Sequence, residues 1–327
     1  MRSIRASLIA ATVGLAISAW SCNSPADSAH DKNRKDRISV LIVDGMNNHD
    51  WQRTTDSLLA ILNSCGLFEV DVSTSPPGNA PEEQWQQWNP AFDKYDVVIS
   101  NFNGGHTPRS KHWPRKLEES LEDYVADGGG LVIFHAANNS FINWPAYNEM
   151  IGLGWRKKDF GVSIRIADDG AVIRVPAGQG DNPGHGPDHD YQMTVLNRTH
   201  PITRGVPIKW MHPLEQLSHG QHGPAKNITI LSYAWSKDSR KNEPMEWVVK
   251  YGQGRVYTTV LGHLWKNQTD LNLRCVGFQT MLIRGVEWAA TGKVSFPVPP
   301  DFPTATEIST NDLLDNHSHI LLQESSN

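Results

Sequence analysis

Cysteine is scarce in this chain. Only Cys22, Cys65 and Cys275 occur in 327 residues, so no disulfide framework staples the fold, and no CxxC pair is present for a structural zinc site. Cys65 and Cys275 both fall in stretches with helical periodicity, where a buried free thiol is the common outcome. Excess positive charge is lacking too: 30 Lys and Arg against 35 Asp and Glu leave a net charge of −5. No Lys/Arg block forms an arm, and nucleic acid is not an expected partner. Several motifs are also missing. No GxGxxG follows a strand and no GxxxxGK[ST] occurs, so no built-in nucleotide cofactor is expected. Without GxSxG the usual serine hydrolase is excluded, and HExxH is absent as a zinc signature.

The N-terminus is different in kind. Arg2 and Arg5 precede an apolar stretch from Leu8 to Ile17, followed by Ala19-Trp20-Ser21-Cys22. Residues 1–21 are expected to be a signal peptide, too short for a permanent span. Small residues at 19 and 21 before Cys22 resemble a bacterial lipobox. Cys22 is then the lipidation site, and the mature chain is an exported lipoprotein of the periplasm or cell surface, held at a membrane by its anchor alone. Residues 22–37 are polar, with too few apolar side chains to offset the entropy of ordering, and are expected to form a flexible tether.

A folded domain is expected over 38–294. "ISVLIVD" (38–44) is a near-continuous apolar run of strand length, as in a strand buried on both faces of a parallel sheet. A helical pattern covers 51–64, with Leu58, Leu59, Ile61 and Leu62 on one side. "FEVDVST", "YDVVISN" and "LVIFHA" are further strands, and "WPRKLEESLEDYVADGGG" is an amphipathic helix with Pro114 in its first turn. This alternation predicts an open α/β sheet, mostly parallel and doubly wound, of the flavodoxin-like kind. Past residue 160 the pattern changes. "VSIRIADDGAVIRVPAG" is a hairpin around Asp169-Gly170, and "ITILSYAW", "MEWVVKYG" and "RVYTTVLGH" add strands, so antiparallel strands join the sheet in its second half. The last helix is expected over 271–290, and 295–327, opening with "FPVPPDFP", as a loosely held tail.

Ligands of open α/β sheets bind beyond the carboxyl ends of the strands. Four polar clusters fall there: Asp44 to His49, Asn101 to His106, His135 with Asn138 beside it, and His263. His135 and His263 are therefore candidate catalytic groups. Asp44, His49, Asn103, His106 and Asn138 are candidates for substrate binding. A second cluster holds His185, His189, His200, His212, His219 and His222, with Asp188, Asp190 and Glu215 among them. Within it, the strand-like "IKW" delivers His212 and Glu215. Imidazoles suit zinc or a similar divalent metal, and His135, His212 and His263 are the candidate ligands, with Glu215 as ligand or acid. Of the twelve tryptophans, Trp51, Trp144 and Trp265 lie beside strand ends, where indole faces can stack on sugar rings.

Over residues 38–292 the chain resembles the trehalose-utilisation, or ThuA-like, family. The matching pieces are "VLIVDGMNNHDW", "VVISNFNG", "LEDYVADGGGLVIFHAANNSF", "HPITRGVP", "HGPAKNITILSYA" and "YGQGRVYTTVLGHLW" followed by "FQTMLIRGVEWAATG". The resemblance implies a class I glutamine amidotransferase-like fold, in which His135 stands where the amidotransferases place a nucleophilic Cys. An imidazole cannot replace that thiolate in cleaving an amide, so a glutaminase is excluded. What the resemblance implies instead is carbohydrate work, including 3-keto-glycosides formed by a partner sugar oxidoreductase. Many members have Asp-Glu-Leu-Tyr where this chain has Glu215-Gln216-Leu217-Ser218, so a carboxylate persists at 215, Gln216 cannot ionise and Ser218 cannot stack. The leading expectation is an extracytoplasmic enzyme that cleaves a keto-glycoside by histidine acid/base chemistry. A non-catalytic sugar-binding lipoprotein and a sugar oxidoreductase are the alternatives.

Overall fold

The apolar run at 38–44 forms β1 (Ile38–Asp44), and Val40 to Val43 are buried because helices cover both faces of the sheet. A computed structural model describes residues 37–315. The expected signal peptide, the lipidated Cys22 and the tether up to residue 36 lie outside the described residues, as do 316–327. β1 pairs in parallel with β2 (Phe68–Thr74) and β3 (Val97–Ser100). β3 pairs with β4 (Gly130–Phe134), and β4 with β12 (Gly254–Thr259), again in parallel.

The helical stretch at 51–64 is α1 (Trp51–Ser64), whose Leu58, Ile61 and Leu62 enter the core. α2 (Glu82–Gln87) is a short helix that the sequence pattern does not announce. α3 (Arg115–Ala126) buries Leu117, Leu121 and Val125, one every four residues, with Pro114 as its N-cap. α4 (Pro145–Ile151) follows. α5 (Val276–Thr291) packs on β4 and β12 and ends at Gly292, whose φ of 73° is the left-handed cap glycine accepts readily.

The second half adds β5 (Val162–Ile166), β6 (Val172–Val175), β7 (His189–Val195), β8 (Lys209–Glu215), β9 (His222–Gly223), β10 (Ile228–Ser236) and β11 (Lys241–Tyr251). The sheet runs β2-β1-β3-β4-β12-β11-β10-β7-β8. Every pairing from β12 through β11, β10 and β7 to β8 is antiparallel. β5 and β6 form the hairpin over Asp169-Gly170. The fold is therefore α/β, with a parallel half and an antiparallel extension. Among the described residues no helix is long and apolar enough to cross a membrane.

Two boundaries differ from expectation. α5 starts at Val276 instead of 271, because the N–H groups of Leu273 and Arg274 turn back onto the Asp270 carbonyl before Cys275 caps the helix. Residues 295–315 are not loosely held. Phe302 and Leu314 are buried, Met211 donates to the Thr304 carbonyl at 2.9 Å and Val276 to that of Ser309 at 3.0 Å. Arg284 on α5 donates to the Phe296 carbonyl. Prolines there remove N–H donors but leave carbonyls, and a buried arginine takes one of them.

Candidate active site

The carboxyl ends of β1, β3, β4 and β12 lie side by side, so the loops that leave them share one rim. β4 ends at Phe134, and the chain turns at once into a 3-10 segment, His135–Asn139. His135 has φ 43°, a left-handed conformation that costs a non-glycine residue free energy and persists only where the surroundings impose it. The far end of the segment is held by Arg156: its guanidinium, 1 % exposed, donates to the Asn139 carbonyl at 2.9 Å, to the Ser140 carbonyl at 2.5 Å and to Asn148 Oδ1 at 2.8 Å. Burial lowers that guanidinium to a pKa of about 10.

The His135 ring is itself buried, 9 % exposed, and its Nδ1 sits 2.7 Å from the Val260 carbonyl. A carbonyl only accepts, so Nδ1 carries the hydrogen and Nε2 keeps a free lone pair. His49, in the loop after β1, repeats the arrangement. Its Nδ1 is 3.1 Å from Asn47 Oδ1, and Asn47 Nδ2 donates to the Asn101 carbonyl, which identifies Oδ1 as the acceptor. His263, after β12, has a buried Nε2 without a protein partner and Nδ1 3.8 Å from Asp188 Oδ1. Gln268 holds Asp188 through its other oxygen at 2.8 Å.

These three rings pack against one another, with centroids 4.7 Å apart for His49–His135, 4.9 Å for His49–His263 and 5.4 Å for His135–His263. Each offers one ring nitrogen within 4.8 Å of the other two. Burial, reinforced by the neighbouring imidazoles, drives His49 down to a pKa of about 2 and His263 to about 3. Burial lowers His135 as well. Neutral imidazoles with a free ring nitrogen are what a divalent cation requires, and in His49 and His135 the other nitrogen is tied to an acceptor.

Glu215, at the end of β8, lies behind the cluster and is fully buried. It accepts from the Gly262 N–H at 2.6 Å, the His263 N–H at 3.1 Å and Asn272 Nδ2 at 3.0 Å, and faces His212 Nε2 at 3.4 Å. Burial opposes its charge, but His212 holds its carboxyl below the usual range. His212 is pushed up to about 9: burial opposes its charge too, and Cys275 and Glu215 beside it outweigh that. Glu215, expected as a catalytic acid or ligand, is instead found fully buried with its carboxylate on the Gly262–His263 peptide. Gly262 has φ 103°, and a Cβ there would fall 2.4 Å from the Phe134 ring, so this position takes only glycine.

A cavity of about 210 Å³ opens over His49 and His135. His49, His106, His135, Asn138 and Trp265 line it, and His263 packs against two of these, His49 and Trp265, without itself lining the cavity. Other expected site residues lie elsewhere. His212 packs among Tyr191, Trp210 and Phe278 and is not one of the clustered rings; His49 takes the place expected for it. Asp44 is buried and accepts from Thr55 Oγ1. Asn103 braces its loop by donating to Asn48 Oδ1 and accepting from the Gly105 N–H. Trp51 opens α1 and does not line the cavity, while Trp144 is core, its indole bonded to Glu122. Sequence reading also missed wall residues: Trp155, Gln216, Ser218 and Gln221 line the cavity. They come from irregular segments, where no periodicity marks a facing side.

The profile of the trehalose-utilisation (ThuA) family matches residues 39–289. The chain belongs to the ThuA family. A ThuA-like protein from Parabacteroides merdae ATCC 43184 is similar at 34% identity, over 85% of this chain and 99% of that one, with a TM-score of 0.78. A ThuA-like protein from Bacteroides uniformis ATCC 8492 shares the fold at 18% identity, over 79% of this chain and 93% of the other, with a TM-score of 0.50. No curated protein matches significantly. The description of the ThuA family relates the chain to carbohydrate.

Proposed function

We propose that this ThuA family protein is an exported enzyme that cleaves a glycoside, a 3-keto-glycoside being the substrate type, at a three-histidine metal centre. The observation that carries the reading is the convergence of His49, His135 and His263, each with a free ring nitrogen, at a cavity that His49 and His135 line. These three would hold a divalent cation such as zinc, which supplies Lewis-acid stabilisation of developing negative charge when bound. Proton transfer then needs a fourth group. His185 lines the cavity wall, its Nδ1 3.0 Å from the Gly186 carbonyl and its ring centroid 6.5 Å from that of His263. With Nδ1 donating, Nε2 is the nitrogen left to exchange a proton with substrate.

A keto group acidifies the adjacent C–H. His185 takes that proton, the C–H electrons form a carbon–carbon double bond, and the glycosidic C–O bond breaks. The departing alkoxide recovers the proton from the imidazolium, and water adds to the double bond to complete hydrolysis. The keto group is made by oxidation, so a sugar oxidoreductase supplies the substrate. The test is elemental analysis of the purified protein with turnover of 3-keto-glycosides before and after chelation. Bound divalent metal, with activity lost on chelation and restored by metal, is expected. Turnover indifferent to chelation removes the metal centre, and sugar binding without any product makes the protein a binding module.

Export and lipidation at Cys22 belong to the same reading, supported by the apolar stretch and small residues before it. Cys22→Ser should move the expressed chain from the membrane fraction to the soluble one. Equal membrane association of both forms would show that Cys22 carries no anchor.

A further inference from the structure

The cavity over the histidine cluster is small and, apart from histidine, is lined by no ionisable side chain: no Asp, Glu, Lys or Arg forms its wall. Its volume of about 210 Å³ is below the roughly 300–1,000 Å³ of sites that enclose drug-sized ligands. That is the scale of one enclosed hexose-sized ring. We infer that the cavity is a subsite for a single uncharged sugar unit, the glycone, with the leaving group outside; this rests on the glycoside-cleaving reading above and names which part of the substrate is recognised.

The chemistry of the wall supports this. Asn138 and Gln221 are 2 % and 8 % exposed, and Asn138 Nδ2 donates to Gln221 Oε1 at 2.9 Å, which holds both amides against the cavity. Amides offer both donors and acceptors, as do the hydroxyls of a sugar. Gln216 and Ser218 add an amide and a hydroxyl from the segment after β8. Two indoles supply apolar faces. Trp265 is fixed by stacking on His49, centroids 4.3 Å apart and planes 23° from parallel, and Trp155 stands beside His185 at 5.8 Å. A hexose presents apolar C–H faces to such rings and hydroxyl edges to amides. With the reacting carbons over the histidines, a 6-phosphate or uronic carboxylate would lie away from the cation they would hold and would find no arginine or lysine in the wall to pair with, and burying an unpaired charge is costly. Neither nearby carboxylate lines the cavity: Glu215 accepts from the Gly262–His263 backbone, and Asp188 accepts from Gln268 through Oδ2 and turns its unpaired Oδ1 toward His263 Nδ1, 3.8 Å away. The reacting carbon must lie over the histidine floor, so the ring in the cavity is the one whose bond is broken.

Calorimetry and turnover on the purified full-length protein decide this. The probes are neutral 3-keto-glycosides with leaving groups of one, two and three sugar units, the same compounds with a 6-phosphate or a uronic carboxylate on the glycone, and compounds with a further sugar attached to the glycone. Expected are similar kcat/KM values across leaving-group lengths, and at least tenfold weaker binding for anionic or extended glycones. Trp155→Ala should weaken binding of the neutral glycone at least tenfold without lowering the melting temperature; Gln221→Ala should weaken it likewise but melt lower, because it leaves the buried Asn138 amide without its acceptor. Equal or tighter binding of the phosphorylated or extended glycone overturns the subsite while leaving glycoside cleavage intact. Tight binding of neutral glycones without turnover keeps the subsite and removes the proposed reaction.

Discussion

His135→Ala should lose metal and turnover together. Removing a partner of a ligand typically weakens metal binding about 10- to 100-fold, and loss of a ligand nitrogen should exceed that. Turnover should fall at least about 10²–10³-fold, the range seen when one group stabilising developing charge is removed. The substitution is not silent for folding, because the ring is buried and bonded to the Val260 carbonyl. Leaving that acceptor unpaired costs about 1–3 kcal/mol, which lowers the melting temperature by several degrees at roughly 2–4 °C per kcal/mol for a domain of this class. His135→Gly is the informative companion. At φ 43° glycine returns strain of about 1–3 kcal/mol, so this variant should melt higher than His135→Ala and be equally inactive. Metal content and turnover unchanged in both would remove His135 from the site.

Glu215→Ala should destabilise the protein more than any other substitution at the site. It leaves the Gly262 and His263 N–H groups and the Asn272 amide without their acceptor and strands the His212 charge. Breaking a buried pair by removing one partner costs about 3–5 kcal/mol, so a fall of about 10 °C or more in melting temperature is expected. Glu215→Gln keeps the volume and one acceptor oxygen. It should lose about half as much stability, and kcat should fall because His263 is no longer held in place. Calorimetric melting with parallel kinetics separates the alternatives. If Glu215→Gln melts like the native protein yet turns over nothing, the carboxylate is the acid itself and not an anchor.

Much of the architecture was legible in the residue pattern. Continuous apolar runs such as "ISVLIVD" can be accommodated only where both faces of a strand are covered, and Leu58, Ile61 and Leu62 mark the covering face of α1. Strand ends are visible where such runs stop, so His49, His135 and His263 could be placed on one rim before any coordinates. Neighbouring detail was less accessible. The 295–315 segment has no periodicity, and its packing depends on Arg284 and β8, which are distant in sequence.

What the sequence by itself determined is the parallel sheet, the antiparallel extension, the ThuA family and the rim on which the histidines stand, because periodicity and local motifs are properties of short segments. Tertiary structure alone decided which histidines meet. His212 and His263 both end strand-like runs, but the register of β8 against β7 turns His212 inward among Tyr191, Trp210 and Phe278. The loop after β1 brings His49 onto His135 instead. Only the assembled sheet, too, puts Trp155, Gln216 and Gln221 around one cavity. Side-chain convergence across loops depends on long-range packing, and no local spacing encodes it.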